Sequence, residues 1–143
     1  GAISGLVAIT PACAVVGPMG AIVLGFIASM IAYWACTNLK KTLGYDDSLD
    51  VFGIHGVAGI VGAVGLAILM APQFGGIGYD EGVTMMSQFV VQAKSVGFTI
   101  IWCGLISVIL FKIVDATVGL RVSEEDERAG LDTTSHGETA YHS

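Results

Sequence analysis

The sequence predicts an all-α polytopic membrane protein with four transmembrane helices, the first truncated, and a short polar tail. Three observations predict it. Long stretches carry no charged residue. Charged residues make up 13% of the chain, against about 25% in a soluble domain. No strand-like alternation competes with the apolar runs. The 143 residues include 20 glycines, which suits helices packed closely in lipid.

Residues 1–16 are uncharged but shorter than the roughly 20 residues a spanning helix needs. Pro11 lacks an N–H and clashes with the preceding turn, so it is expected to end or kink this helix. The chain opens inside the run and without Met, so further helices are expected upstream. Residues 17–39 are uncharged and stop at Lys40-Lys41. Residues 51–71 hold one ionisable group, His55, and Pro72 closes them. Residues 95–111 lie uncharged between Lys94 and Lys112. The last helix is expected to begin earlier, near Glu81, and to run to about residue 120. The membrane region therefore spans 1–120, as segments 1–16, 17–39, 51–71 and 81–120, and the tail spans 121–143.

Charge orients the segments, because cytoplasmic loops are enriched in Lys and Arg. Loop 40–50 carries Lys40 and Lys41, whereas loop 72–80 carries Asp80 and no base. The four segments then run outward, inward, outward and inward, leaving the tail in the cytoplasm; Lys94 on the outer side counts against this orientation. Six acids and two arginines in the tail account for most of the net charge of −6. An acidic tail argues against nucleic acid as a partner. Cys13, Cys36 and Cys103 sit in separate apolar segments as small hydrophobes. No metal site and no cofactor are expected.

Without a hydrophobic drive between helices in lipid, small residues mark their contacts. Gly1/Gly5, Ser4/Ala8, Ala21/Gly25, Ala28/Ala32, Ala58/Gly62 and Gly59/Ala63 are such pairs. In the tail, Ser123-Glu124-Glu125-Asp126 reads as a capping box, with Ser123 as N-cap and Asp126 at its third position. The acids suit the positive end of that helix, and Gly130 stops it. The segment is either a short solvated helix or a docking element.

His55 stands out. It is the one ionisable group in the complete apolar runs, and such groups are costly and functional by default. The alternative is a satisfied structural histidine. On an α-helix Val51, Phe52, Ala58, Gly59 and Gly62 share its face. Small residues beside the ring predict a slot that Val51 and Phe52 keep dry. Such a slot suits a small neutral polar molecule such as ammonia, whereas an ion would lose its hydration.

The stretch Asp50-Val51-Phe52-Gly53-Ile54-His55-Gly56-Val57-Ala58-Gly59 resembles the second-histidine motif of the ammonium transporter (Amt/Mep/Rh) family. The resemblance runs the length of the chain. GAISGLVAITPACAVV is similar to helix 8, GYDEGVTMMSQFVVQ to the entry of helix 11, and VGLRV with LDTTSHGETAY to the cytoplasmic tail. It implies a fragment of an eleven-helix fold with two inverted repeats, assembled as a homotrimer in the cell inner (plasma) membrane and embedded in membrane lipid. It implies ammonium as substrate, deprotonated so that ammonia passes a hydrophobic pore. His55 matches the second pore histidine, Ile3 and Val51 match pore-lining positions, and Asp50 matches a cytoplasmic vestibule position or an ordinary helix-start acid. The first histidine and the recruitment site lie upstream. The tail, with Ser123, Asp126 and Gly130, is implied to be regulatory. Thr134 matches a position phosphorylated in plant relatives, and a PII-type signalling protein is an implied partner.

Two rivals stay open. One is an ammonium sensor of the same fold that signals through its tail. The other is a haem-carrying anchor with His55 as axial ligand. Its usual second intramembrane histidine is missing, since His136 and His142 lie in the tail. An enzyme is not expected, because no nucleophile–base pair or metal-ligand spacing appears in the apolar runs.

Overall fold

The computed structural model describes residues 1–139; residues 140–143, with Tyr141 and His142 of the tail reading, lie outside the described residues. The described residues are helical and contain no strand. Contacts divide the chain into two compact units, Gly1–Ile100 and Ile101–Ser143. The division falls within the last long helix.

Helix α1 is Ala2–Ile9. The Thr10 hydroxyl donates to the Leu6 carbonyl at 2.8 Å. Pro11 follows, and only turns continue toward residue 16, so the helix is half as long as the uncharged run. Helix α2 is Pro18–Leu43. It opens with Pro at its first position behind Gly17, where a missing N–H costs nothing. The expected stop at Lys40 is overrun by one turn to Leu43. Both lysines sit in that last turn, where the helix dipole favours cations. Gly44, at φ 65°, closes it in the left-handed region.

Helix α3 is Phe52–Leu69. Both α2 and α3 contain a π segment, Ala35–Leu39 in the one and Phe52–Val57 in the other, and the two segments pack together. After α3 the chain turns through a 3-10 turn at Pro72–Phe74 and folds back. Ile77 N–H donates to the Val15 carbonyl at 3.0 Å, and Tyr79 O–H to the Ala67 carbonyl at 2.6 Å.

Helix α4 is Met85–Thr117, 33 residues. It starts four residues beyond Glu81. Thr84 and Ser87 cap each other there: Thr84 N–H donates to Ser87 Oγ at 2.9 Å and Ser87 N–H to Thr84 Oγ1 at 3.1 Å. At 1.5 Å per residue it is about 50 Å long, more than the ~30 Å of a bilayer core. None of its residues is buried, as suits a helix that meets lipid along its length.

Helices α1, α2 and α3 pack on one another. The buried positions are Ser4 and Ala8 on α1, Gly20, Leu24, Ala28, Ala32 and Ala35 on α2, and Gly53, Ala58, Gly62, Leu66 and Ala67 on α3. Leu24 and Leu66 are the only large side chains among them. A Cβ at Gly62 would overlap the Ala8 backbone, and one at Gly53 would overlap the Cys36 sulfur. Gly5 and Gly25 face each other, so that a Cβ on Gly25 would lie 3.7 Å from the Gly5 Cα. The Ser29 hydroxyl donates to the Gly1 carbonyl at 2.8 Å.

Gly62→Ala is expected to destabilise the protein by about 1–3 kcal/mol through overpacking against the α1 backbone. Gly59→Ala, whose added Cβ would meet only Val7 Cγ1 at 4.0 Å, is expected to be neutral. Thermal unfolding of the two variants in detergent checks the contrast.

In the second unit the tail forms two short helices, α5 at Glu124–Ala129 and α6 at Leu131–Thr134. Ser123 caps α5 as its sequence promises. Asp126 N–H donates to Ser123 Oγ at 3.1 Å, and the same hydroxyl donates to Asp126 Oδ2 at 2.6 Å. Gly130, at φ 95°, ends it. Arg121 forms a bidentate pair with Glu127 at 2.8 and 3.0 Å, and Arg128 pairs with Glu124 at 2.5 Å.

Candidate functional site

The candidate residue, His55, lies in the π segment of α3. A π turn closes i→i+5 bonds and holds one residue more than an α turn, and such turns are frequent at functional sites. The buried stripe of α3 shows the insertion: Gly53, Ala58, Gly62 and Leu66 are spaced by five, then four, then four. Ala58 and Gly62 therefore belong to the buried stripe with Gly53. His55 is exposed on a different face, together with Val51 and Phe52. This corrects the face reading, which counted α-helical spacing through a turn that is not α-helical. The small residues around His55 are Gly56, over which the Phe52 ring lies, and half-buried Gly59.

The imidazole of His55 has no hydrogen bond to any described residue. Val51 is 50% exposed and Ile3, on α1, is 58% exposed. The structure brings α1 against the π segment, so the elements that carry Ile3 and His55 are neighbours.

The start of α3 is built by a loop rather than by the helix itself. Asp47 Oδ1 and Oδ2 accept the N–H groups of Val51 and Phe52, both at 2.8 Å. The Asp50 carbonyl accepts the Ile54 N–H at 2.9 Å. Three of the donors that a helix start leaves open are satisfied in this way. Asp50 itself is paired with Lys40, Oδ1 to Nζ at 2.9 Å, and it has a positive φ of 55°. Lys40 Nζ also donates to the Asp47 carbonyl at 2.5 Å.

Tyr45 packs its ring edge-on against Phe52, with centroids 5.7 Å apart. Its buried hydroxyl has no hydrogen-bond partner among the described residues. Burial, and after it the Asp47 carboxylate, push this phenol above its ordinary range. Tyr45 and Asp47 were not singled out in the sequence, and Lys40 was read only as a helix stop and a cytoplasmic charge. Asp47 gave no standard capping signal, because it stands four and five residues before the amides it holds, farther than an N-cap reaches. The reach of Lys40 over ten residues leaves no local pattern.

A cavity of about 500 Å³ opens between α1, α2 and the start of α3, with Ser4, Ser29, Tyr33, Cys36, Asp50 and Ile54 in its wall. Asp50 borders it and His55 does not. In the tail, Ser123 and Asp126 are joined, Gly130 N–H donates to the Asp126 carbonyl at 3.0 Å, and the Thr134 hydroxyl donates to the Gly130 carbonyl at 3.2 Å. Thr134 is exposed. Among the described residues no cluster of His, Cys, Asp and Glu could hold a metal ion.

Compared with known proteins, residues 1–141 match the model of the Ammonium Transporter Family. The chain belongs to that family. It is similar to the ammonium transporter of Aquifex aeolicus, with 46% identity over 99% of this chain and 33% of that protein. It is 41% identical to ammonium transporter Amt1 of Archaeoglobus fulgidus over 99% of this chain and 36% of that one. With the ammonium transporter of Bacillus subtilis the identity is 37%, over 99% of this chain and 35% of the relative. The chain thus spans about a third of the length of the curated ammonium transporters it matches. Three of its helices are long and apolar enough to cross a membrane.

Asp47→Ala removes both carboxylate acceptors from the start of α3 in this ammonium transporter chain. It is expected to cost about 1–2 kcal/mol, as the loss of a strong helix cap does. The Val51 and Phe52 amides are expected to exchange faster with solvent while those of Ala63–Leu69 stay protected. Asp47→Asn is expected to lie between, and hydrogen exchange read at single amides checks the order.

Proposed function

We propose that this chain supplies one wall of an ammonia-conducting pore, with His55 as one of two histidines along it. One observation carries the reading. His55 is the only imidazole in the long apolar helices, its ring is exposed on the unit that carries it, and no described residue satisfies it. A structural histidine in a membrane helix finds a partner within its own bundle, because an unsatisfied polar group in hydrocarbon is expensive. An exposed and unpartnered ring instead calls for a polar complement: a passing molecule, or a group carried by residues outside 1–139. Membership of the ammonium transporter family supplies the molecule. Ammonium gives up its proton before the apolar section, and ammonia crosses it neutral, hydrogen-bonded to imidazole nitrogen. Val51 and Ile3 furnish apolar wall, and Asp50 stands at the cytoplasmic vestibule.

In this proposal the protein is a homotrimer in the cell inner membrane, with Lys40, Lys41 and the tail in the cytoplasm. The exposed Thr134 and the capped helix at Ser123–Gly130 form a regulatory segment that a PII-type protein recognises. The reading as a sensor draws on the same self-contained tail.

His55→Ala, in the protein expressed from its full reading frame, is expected to change methylammonium uptake at least tenfold, or to admit competing cations, with the oligomer intact. Uptake and selectivity equal to the parent would remove His55 from the pore. Deleting residues 124–143 separates carrier from sensor. A carrier shows substantial methylammonium flux that the deletion leaves within a small factor; a sensor shows little flux before or after the deletion and loses only the binding of its regulator.

A further inference from the structure

The end of α2 and the start of α3 are joined by contacts that the pore proposal does not use. Lys40 stands one residue past the π segment Ala35–Leu39. Its ammonium group donates to two acceptors of the 47–50 loop, the Asp47 carbonyl at 2.5 Å and Asp50 Oδ1 at 2.9 Å. A compact ammonium with three donors can serve a carbonyl and a carboxylate at once. Asp50 is the only non-glycine residue with positive φ among the described residues. That conformation is unfavourable for a residue with a Cβ and persists where surrounding contacts enforce it. The Lys40 contact is one that does so. The carbonyl of this same Asp50 accepts the N–H of Ile54, the residue before His55.

A second contact lies close by and is steric. Gly53 sits so near Cys36 that a Cβ there would strike the sulfur and lie 3.3 Å from the Cys36 nitrogen. The backbone just ahead of His55 is therefore held from α2 at two points, one electrostatic and one steric. The steric point joins the two π segments, and the electrostatic one flanks them. A π turn relaxes to α geometry when one flank is free to slip by a residue, and a slip of one residue turns the helix by about 100°. Such a rotation would carry the imidazole to another face.

We propose that Lys40 is a positioning residue for His55. By holding Asp50 in its left-handed conformation and anchoring the Asp47 carbonyl, it pins the register of Phe52–Val57 and thereby the direction of the ring. The consequence for transport rests on the pore role of His55; the effect on ring orientation does not.

The test uses the protein expressed from its full reading frame, with isotope-labelled histidine. The imidazole nitrogen resonances of His55 are identified by their loss in His55→Ala. Lys40→Met is expected to shift these resonances and to lower methylammonium uptake roughly tenfold, as a misplaced functional group does. Lys40→Arg, which keeps a charged donor for Asp50, is expected to restore the resonances and most of the uptake. Unchanged His55 resonances in Lys40→Met overturn the proposal, whatever happens to uptake. Loss of uptake with an unmoved ring would place Lys40 in the electrostatics of the vestibule alone. Should Lys40→Met fail to assemble, Asp50→Gly takes its place. It tolerates the positive φ but lacks the carboxylate that Lys40 holds, so the same shift is expected and its absence is equally fatal. If Lys40→Met moves the ring while His55→Ala transports like the parent, the pore reading fails and the positioning role stands.

Discussion

Close backbone contact between α1, α2 and α3 is the constraint on which the rest of the structure depends. In lipid, helices gain nothing from hiding apolar surface, so attraction comes from atoms that approach closely over a long line. That line is made by residues with little or no side chain. Gly62 lies against Ala8, Gly5 against Gly25, and Gly53 against Cys36. Large side chains point the other way, and Phe26, Met30, Tyr33 and Trp34 are all exposed on α2. Because α2 and α3 meet at Gly53, their neighbouring ends lie close enough for one lysine to span the loop between them. The lysine contact that positions the backbone ahead of His55 is thus made possible by close packing of small residues.

Much of this was legible in the residues. Uncharged stretches located the long helices, since charge in hydrocarbon is costly and its absence is conspicuous. The Ser123 and Gly130 caps could be read because capping is local, set by residues three to seven apart. The pairs Ser4/Ala8, Ala28/Ala32 and Ala58/Gly62 lie on buried faces. What escaped was non-local or irregular. The start of α4 was set by a Thr84–Ser87 pair, a weaker capping pattern than the Ser-to-acid form. The end of α2 moved because lysines favour a helix C-terminus as well as a cytoplasmic loop. The face of His55 was misread because residue counting assumes one period, and the π segment breaks it. The five-residue step from Gly53 to Ala58 was in the sequence, but among so many small residues it carried no signal of its own.

The position of the loop cluster sets how deep His55 lies. Asp47, Asp50 and Lys40 form a charged group whose Lys40 and Asp50 side chains are 29% and 39% exposed. Partly open charges of this kind belong in water, at headgroups or in an aqueous vestibule, not in hydrocarbon. Asp47 caps the residues that open α3, and His55 stands three positions past Phe52, within a single turn of the π segment. The ring therefore stands within one turn of a polar region, whatever the depth of the bilayer around it. The remainder of α3, Ala58–Leu69, carries no polar side chain at all. The proposed passage is then asymmetric about this histidine. The apolar section lies on the side of Ala58–Leu69, and the opposite side reaches water after a single turn past Val51. On the proposed function, a molecule held at His55 would have crossed the apolar length that α3 contributes, and the imidazole would act at the end of the dry section, where ammonia can recover a proton from water.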